Sequence, residues 1–394
     1  MNGEAEQDFD QVRHLSDAQR RVSLAALLAS NFSFGVAFGG FAPLISLLLE
    51  NRGVDSVIIG LNTSMSPLGT ICMAPLVPYC IKRAGPANGF FIGVSLSVAA
   101  MALMTIFESL SAWFILRFVI GAGLAVPWII SETWLNMVTL EKTRGRVMAL
   151  YAAVLAGGFA AGPLVLTVVG TEGHAPFYWC TAIFAIAMLP MVGIRRLAPR
   201  IDFPEHSGIL AMALAAPTIV GAAIVAGVLD TSIFSFLPIY GLRLGMTEEN
   251  AVFFLSLFLI GGLTLQLPIG WIADHVNRRT VLVCCGAVAA IAPLLMPLVI
   301  DQFLVLGLML VIWGAAGWSM YAVGMAMLGE RFKGGQLASA NSAFIMGFEG
   351  SNIAGPVMAG YAIGFWEPHG LMFLMASIAA LFVLLAVGRG MIRR

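Results

Sequence analysis

Few residues in this chain can do chemistry, and most of them sit where charge is costly. Glu132, Asp230 and Glu349 are acidic residues inside long apolar runs. A carboxyl so placed can exchange a proton as its access to water changes. The chemistry the three imply is proton coupling or gating, set against a carboxyl that only packs. Arg117 is a further embedded charge, which either faces a cavity or reaches along its stem to the headgroups. Asp274, Arg278 and Arg279 stand together in GWIADHVNRRTVL. A carboxylate near a helix N-terminus and two guanidiniums can hold one conformation by charge-assisted hydrogen bonds. The trio therefore reads as a conformational latch, since topological anchoring alone would not require the Asp.

A second group is polar without being charged. Asn31, Trp128, Asn136, Tyr151, Gln266, Tyr321, Asn341 and Asn352 lie in the same apolar runs. They are candidates to line a cavity and touch a substrate, or to bond between helices. His14, His174, His206, His275 and His369 fall in loops or near helix ends, and the five cysteines show neither pairing nor metal-ligand spacing. No metal site, cofactor or enzyme centre is expected. Without a nucleotide motif, any work must draw on an ion or solute gradient. Net charge is zero, and no nucleic-acid partner is expected.

The elements that must hold these residues are membrane helices. Of 394 residues, 59% are hydrophobic and 11% charged, against about 25% charged in soluble domains. A lipid-spanning helix needs about 20 mostly apolar residues. Apolar runs at 23–49, 57–81, 88–107, 111–138, 146–169, 176–194, 211–241, 250–272, 280–299, 302–328, 338–363 and 369–388 give twelve spans. The expected fold is an all-α integral membrane protein with a tail at 1–22, a six-helix bundle at 23–194, a polar loop at 195–210, a second bundle at 211–388 and a tail at 389–394. Residues 1–22 do not have the basic start and apolar core of a cleaved signal peptide, so the first run reads as a retained helix. All Lys and Arg residues except Arg52, Arg117 and Arg243 fall on the side of the termini and the even-numbered connections. By the positive-inside rule that side, with both termini, is cytoplasmic.

The halves repeat. GWIADHVNRR after span 8 matches PYCIKRAGPA after span 2. Gly162-Pro163 in span 5 matches Gly355-Pro356 in span 11, and Gly121–Gly123 matches Gly314–Gly317. Such Gly-Pro pairs break the helical ladder locally and suit helix bending as well as close packing.

These motifs resemble the major facilitator superfamily. Gly270, Asp274, Arg278 and Arg279 fall where that family's loop between helices 8 and 9 has its signature, and Arg117, Gly121 and Gly123 match its fourth-helix signature. QLPIGWIADHVNRR, IKRAG and GWSMYAVGMAM are closest to the YcaD-like branch. The first-half loop departs from the pattern, with Lys82 where the family has Asp. The resemblance implies a secondary active transporter of a small solute in the bacterial inner membrane. It would act as a monomer by alternating access, with the substrate, lipid and protons as partners. An uncoupled facilitator or uniporter and a non-transporting receptor are the alternatives. The substrate, the coupling ion and the direction of transport stay open.

Overall fold

In the computed structural model, described at residues 16–140, 143–199, 217–332 and 334–392, no strand occurs among the described residues. The order is α1 Asp17–Asn51, α2 Ser56–Ala84, α3 Pro86–Leu103, α4 Leu110–Val138, α5 Arg144–Val169, α6 Ala175–Leu197, α7 Pro217–Arg243, α8 Glu248–His275, α9 Arg278–Leu298, α10 Phe303–Arg331, α11 Gly334–Phe365 and α12 Gly370–Ile392. Eleven of these helices are long and apolar enough to cross a membrane among the described residues, and α11, 32 residues long, completes the twelve. The expected tail at 1–15, the loop segment 200–210, the start of the seventh run at 211–216 and the last residues 393–394 lie outside the described residues.

Local sequence sets the helix ends. The first helix starts at Asp17, earlier than its apolar run, because Ser16 and Gln19 form a reciprocal capping box. The Ser16 amide donates to Gln19 Oε1 at 3.0 Å, and the Gln19 amide donates to Ser16 Oγ at 3.2 Å. Residues 17–22 are therefore helical rather than part of a tail. Ser109, Thr247 and Asn277 cap α4, α8 and α9 in the same spirit, each side chain accepting from a backbone amide of the first turn. Gly85 ends α2 at φ 78°, a conformation that favours glycine.

Packing carries the repeat. Gly69 of α2 lies against the Phe118 carbonyl of α4, and Gly121 of α4 lies against the Ser66 carbonyl of α2. In the second half Gly261 of α8 lies against the Val311 carbonyl of α10, and Gly314 of α10 against the Phe258 carbonyl of α8. In both pairs each helix offers a glycine and, three residues earlier, the carbonyl its partner's glycine meets. A Cβ at any of the four would overlap backbone. Lipid supplies no hydrophobic drive between helices, so this close approach is what holds them together. The pairs α1·α5 and α7·α11 repeat the device. Gly35 and Gly39 face the Leu155 and Phe159 carbonyls at 2.8 and 2.5 Å from a would-be Cβ, while Gly355 faces Val228 and Ser232. The helices α5 and α11 run unbroken through Pro163 and Pro356, with Gly162 and Gly355 at these contacts. Among the described residues the twelve helices form two pseudo-symmetric sets of six, and these helix pairs pack alike in both.

The chain divides into two compact units. One comprises 1–41, 65–162 and 172–204; the other comprises 42–64, 163–171 and 205–394. The second unit therefore holds the second half together with the end of α1, the start of α2 and the end of α5.

Candidate functional site

Within the first unit, four of the residues singled out from sequence come together on α4 and α5. Trp128, Glu132 and Asn136 are spaced at i, i+4 and i+8, which places them on one face of α4. Trp128 Nε1 donates to Glu132 Oε1 at 3.1 Å, and the buried Tyr151 hydroxyl donates to the same oxygen at 3.5 Å. The Asn136 amide donates to the Glu132 carbonyl at 3.0 Å. Among the described residues, no cation pairs with Glu132. A small cavity adjoins this face, lined among others by Ser30, Asn31, Phe34, Pro127, Trp128 and Ser131. Asn31 lines this cavity, and its side-chain amide donates to the Leu27 carbonyl of its own helix at 2.7 Å. Phe34 stands edge-on to Trp128 at 5.5 Å and touches Phe38, Phe159 and Phe184 at 5.8–6.2 Å.

The second unit holds a matching polar layer. Gly227 and Gly355 let α7 and α11 approach closely, and one turn away Asp230 and Thr231 meet Glu349 and Asn352. The Thr231 hydroxyl donates to Asn352 Oδ1 at 2.7 Å, and the Asn352 amide reaches Glu349 Oε2 at 3.4 Å. Glu349 lies near enough to act electrostatically on Asp230. Two embedded carboxyls from different helices are thus neighbours. Asp230 has no cationic partner among the described residues.

Other sequence candidates are placed apart from these layers. Arg117 is only 3% exposed, so it does not reach for headgroups; the Ser66 hydroxyl donates to its carbonyl at 3.1 Å. Tyr321 packs edge-on to Phe344 and Phe348 at 5.0 and 4.8 Å, beside an apolar cluster. Among the described residues Asn341 Oδ1 is buried without a hydrogen-bond partner. Gln266 is partly exposed on α8 and carries no hydrogen bond among those described.

At the loop between α8 and α9, Arg278 Nη2 bonds Asp274 Oδ1 at 2.7 Å and Arg278 Nη1 bonds Glu330 Oε1 of α10 at 3.2 Å. Arg279 donates to the Ala386 carbonyl of α12. Two members of the trio are therefore directly paired, while the third ties the loop to the last helix. Glu330 was not singled out from sequence, yet the signal was there. Glu330 to Gly334 reads E-x-x-K-G after span 10, as Glu141 to Gly145 reads E-x-x-R-G after span 4.

A larger charged cluster was missed altogether. It lies in the second unit at the helix ends far from the termini. Arg243, the last residue of α7, makes a two-pronged pair with Glu50 of α1: Nε to Oε1 at 2.7 Å and Nη2 to Oε2 at 3.1 Å. Its Nη2 also donates to Ser56 Oγ of α2 at 2.6 Å, and Nη1 lies 3.3 Å from Glu367 before α12. Beside it Asn51 donates to Glu248 Oε1 at 2.7 Å, and Thr171 bonds the other oxygen of Glu248. Deeper in, Thr63 bonds Ser235, Ser64 donates to the Ile353 carbonyl at 2.6 Å, and Gly60 and Gly360 seat α2 directly on α11. The sequence signal was Arg243 itself, one of three cations off the crowded side.

Comparison with known proteins agrees with this architecture. The chain is 27% identical over 376 residues to the MFS-type transporter YcaD of Escherichia fergusonii, covering 91% of this chain and 94% of that protein. Among solved structures it resembles the nucleoside transporter NupG, with a TM-score of 0.75, 14% identity and coverage of 94% and 98% of the two chains. It also resembles a D-xylose-proton symporter, with a TM-score of 0.71, 15% identity and coverage of 94% and 97%. The model of the Major Facilitator Superfamily matches residues 27–264 and 219–389, and the chain belongs to that superfamily.

Proposed function

We propose that the protein is a secondary active transporter of a small solute. It works by alternating access in the inner membrane and is coupled to protons through Asp230 and Glu349. The carrying observation is the pairing of these two carboxyls. They come from adjacent helices in the membrane interior, and Glu349 acts electrostatically on Asp230 beside the Thr231–Asn352 hydrogen bond. Both cannot stay ionised at close range without strong repulsion, which is relieved when one holds a proton. A conformational change that admits water to one face and then the other loads and releases that proton. The D-xylose-proton symporter of the same fold is a proton-coupled relative in architecture.

The remaining clusters fit the same cycle. The sorting of Lys and Arg puts the termini and the α8–α9 loop in the cytoplasm. The Arg243 cluster is then on the outer side, where it ties the ends of α1 and α2 to α7 and α11. The ties between Asp274, Arg278 and Glu330 act as the cytoplasmic latch, and Gly162-Pro163 and Gly355-Pro356 are where helices bend.

The test is an imposed pH gradient in reconstituted vesicles, using solutes found by comparing metabolite uptake with and without the protein. Asp230→Asn and Glu349→Gln should abolish gradient-driven accumulation while sparing downhill exchange. If both variants accumulate solute as the wild type does, the coupling reading is wrong, and an uncoupled facilitator replaces it.

A further inference from the structure

We propose that the α4 face bearing Trp128 and Glu132 binds the head of an organic monocation, an amine with an aromatic or apolar body. This inference rests on the transport reading above and names the substrate class of one part of its site. Its basis is the acceptor that Glu132 leaves open. Trp128 Nε1 and the Tyr151 hydroxyl are both spent on Glu132 Oε1. One N–H of the Asn136 amide is spent on a backbone carbonyl, and so is one of Asn31. The Ser30 hydroxyl is spent on the Ala187 carbonyl at 2.8 Å. Glu132 Oε2 has no hydrogen-bond partner among the described residues. The indole and phenol donors are both turned onto one carboxyl oxygen, and the other oxygen is left open to a ligand.

That pattern selects the ligand. A neutral hydroxyl brings no charge of its own to a carboxylate oxygen, and an anion is repelled by it. An ammonium group is a donor only, and it fits the open carboxylate oxygen of Glu132. The stripe cannot face hydrocarbon, because an unpaired carboxylate in a span is turned toward a cavity or a partner. Trp128 is 38% exposed beside it and stands edge-on to Phe34. Its ring face is thus available to a cation, and the phenylalanines packed around Phe34 give an apolar wall for the rest of the molecule. The same carboxylate repels an acid of the same shape.

The experiment is calorimetric titration of the full-length protein in lipid nanodiscs with three probes of one shape: phenethylamine, phenylethanol and phenylacetate. The amine should bind saturably and at least tenfold more tightly than the alcohol, and the acid should not bind. Glu132→Gln should weaken the amine tenfold or more and leave the alcohol unchanged, with a melting temperature near that of the wild type. Trp128→Leu should weaken both the amine and the alcohol. Should Glu132→Gln fail to fold, competition of the amine by the alcohol and the acid on the wild-type protein gives the same ranking. Absence of saturable amine binding, equal binding of the acid or alcohol, or an unchanged amine affinity in Glu132→Gln overturns the proposal. Proton movement in vesicles driven by other solutes, without amine binding, would sink this inference and leave the transport reading. Amine binding without any flux would do the reverse.

Discussion

Neutralising Glu50 should open the helix ends far from the termini, and the structure sets how far. Arg243 holds Glu50 by two hydrogen bonds, at 2.7 and 3.1 Å, and the two side chains are 14% and 17% exposed. An exposed pair is worth about 0.2–1 kcal/mol, and breaking a fully buried one costs about 3–5 kcal/mol. This pair lies between, and Glu50→Gln keeps an acceptor for one of the two bonds. A loss of about 1.4 kcal/mol follows, which is about tenfold in a conformational equilibrium. While the open form is the minor one, its population rises by that factor. Ser235 reports it, because its side chain is fully buried behind the cluster and bonded to Thr63. With the five native cysteines replaced by alanine and Ser235→Cys introduced, an impermeant maleimide added to cells should label position 235 about tenfold faster in Glu50→Gln. Glu367→Gln is the control. Glu367 also lies near Arg243 but is 63% exposed, so its loss should change the rate less than twofold, about 0.4 kcal/mol or less. Equal acceleration by the two variants, or no acceleration by Glu50→Gln, would refute the assignment of this tie to the two-pronged pair.

Other substitutions have equally definite outcomes. Gly261→Ala or Gly314→Ala drives a Cβ into a facing backbone carbonyl and should lower thermal stability by about 1–3 kcal/mol, whereas Gly270→Ala meets nothing within 4 Å and should leave the melting temperature unchanged. Asp274→Asn should cut transport sharply while insertion and expression stay near normal, since the 64% exposed carboxylate adds little stability. Glu330→Gln should act in the same direction through Arg278, and Lys82→Ala should matter less; equal losses from Asp274→Asn and Lys82→Ala would mean plain anchoring. Reporter fusions after Arg52 or Arg243 should report the outside, and fusions after Arg83 or Arg196 the cytoplasm.

The spans were legible in the sequence because lipid demands long apolar runs, and the repeat because each half carries its glycines at matching places. The glycine register went further than the motif comparison required. Gly121 and Gly314 were matched as small-residue runs, and the structure shows each answering a glycine and a carbonyl on a second helix. The start of α1 was misjudged for a local reason, since a capping box extends a helix into polar sequence where an apolar count stops.

The site residues divided along a different line. Trp128, Glu132, Asn136 and Tyr151 converged because helical spacing on α4 is readable from numbers alone, and one contact from α5 completes the group. Asp230 and Glu349 were visible as embedded charges, but their pairing was not, because 119 positions separate them and only the close crossing at Gly227 and Gly355 joins them. The Arg243 cluster escaped for the opposite reason. Glu50, Ser56 and Glu248 sit at helix ends, where charge is unremarked, and their meaning depends on Arg243 arriving from 193 positions beyond Glu50. An unusual position shows in a sequence as a residue out of place, such as a carboxyl in an apolar run. An unusual partnership between ordinary residues does not show until the chain is folded. The one clue to this partnership was a sorting argument: a cation retained on the side from which nearly all others are excluded has a partner to justify it, and here that partner is Glu50.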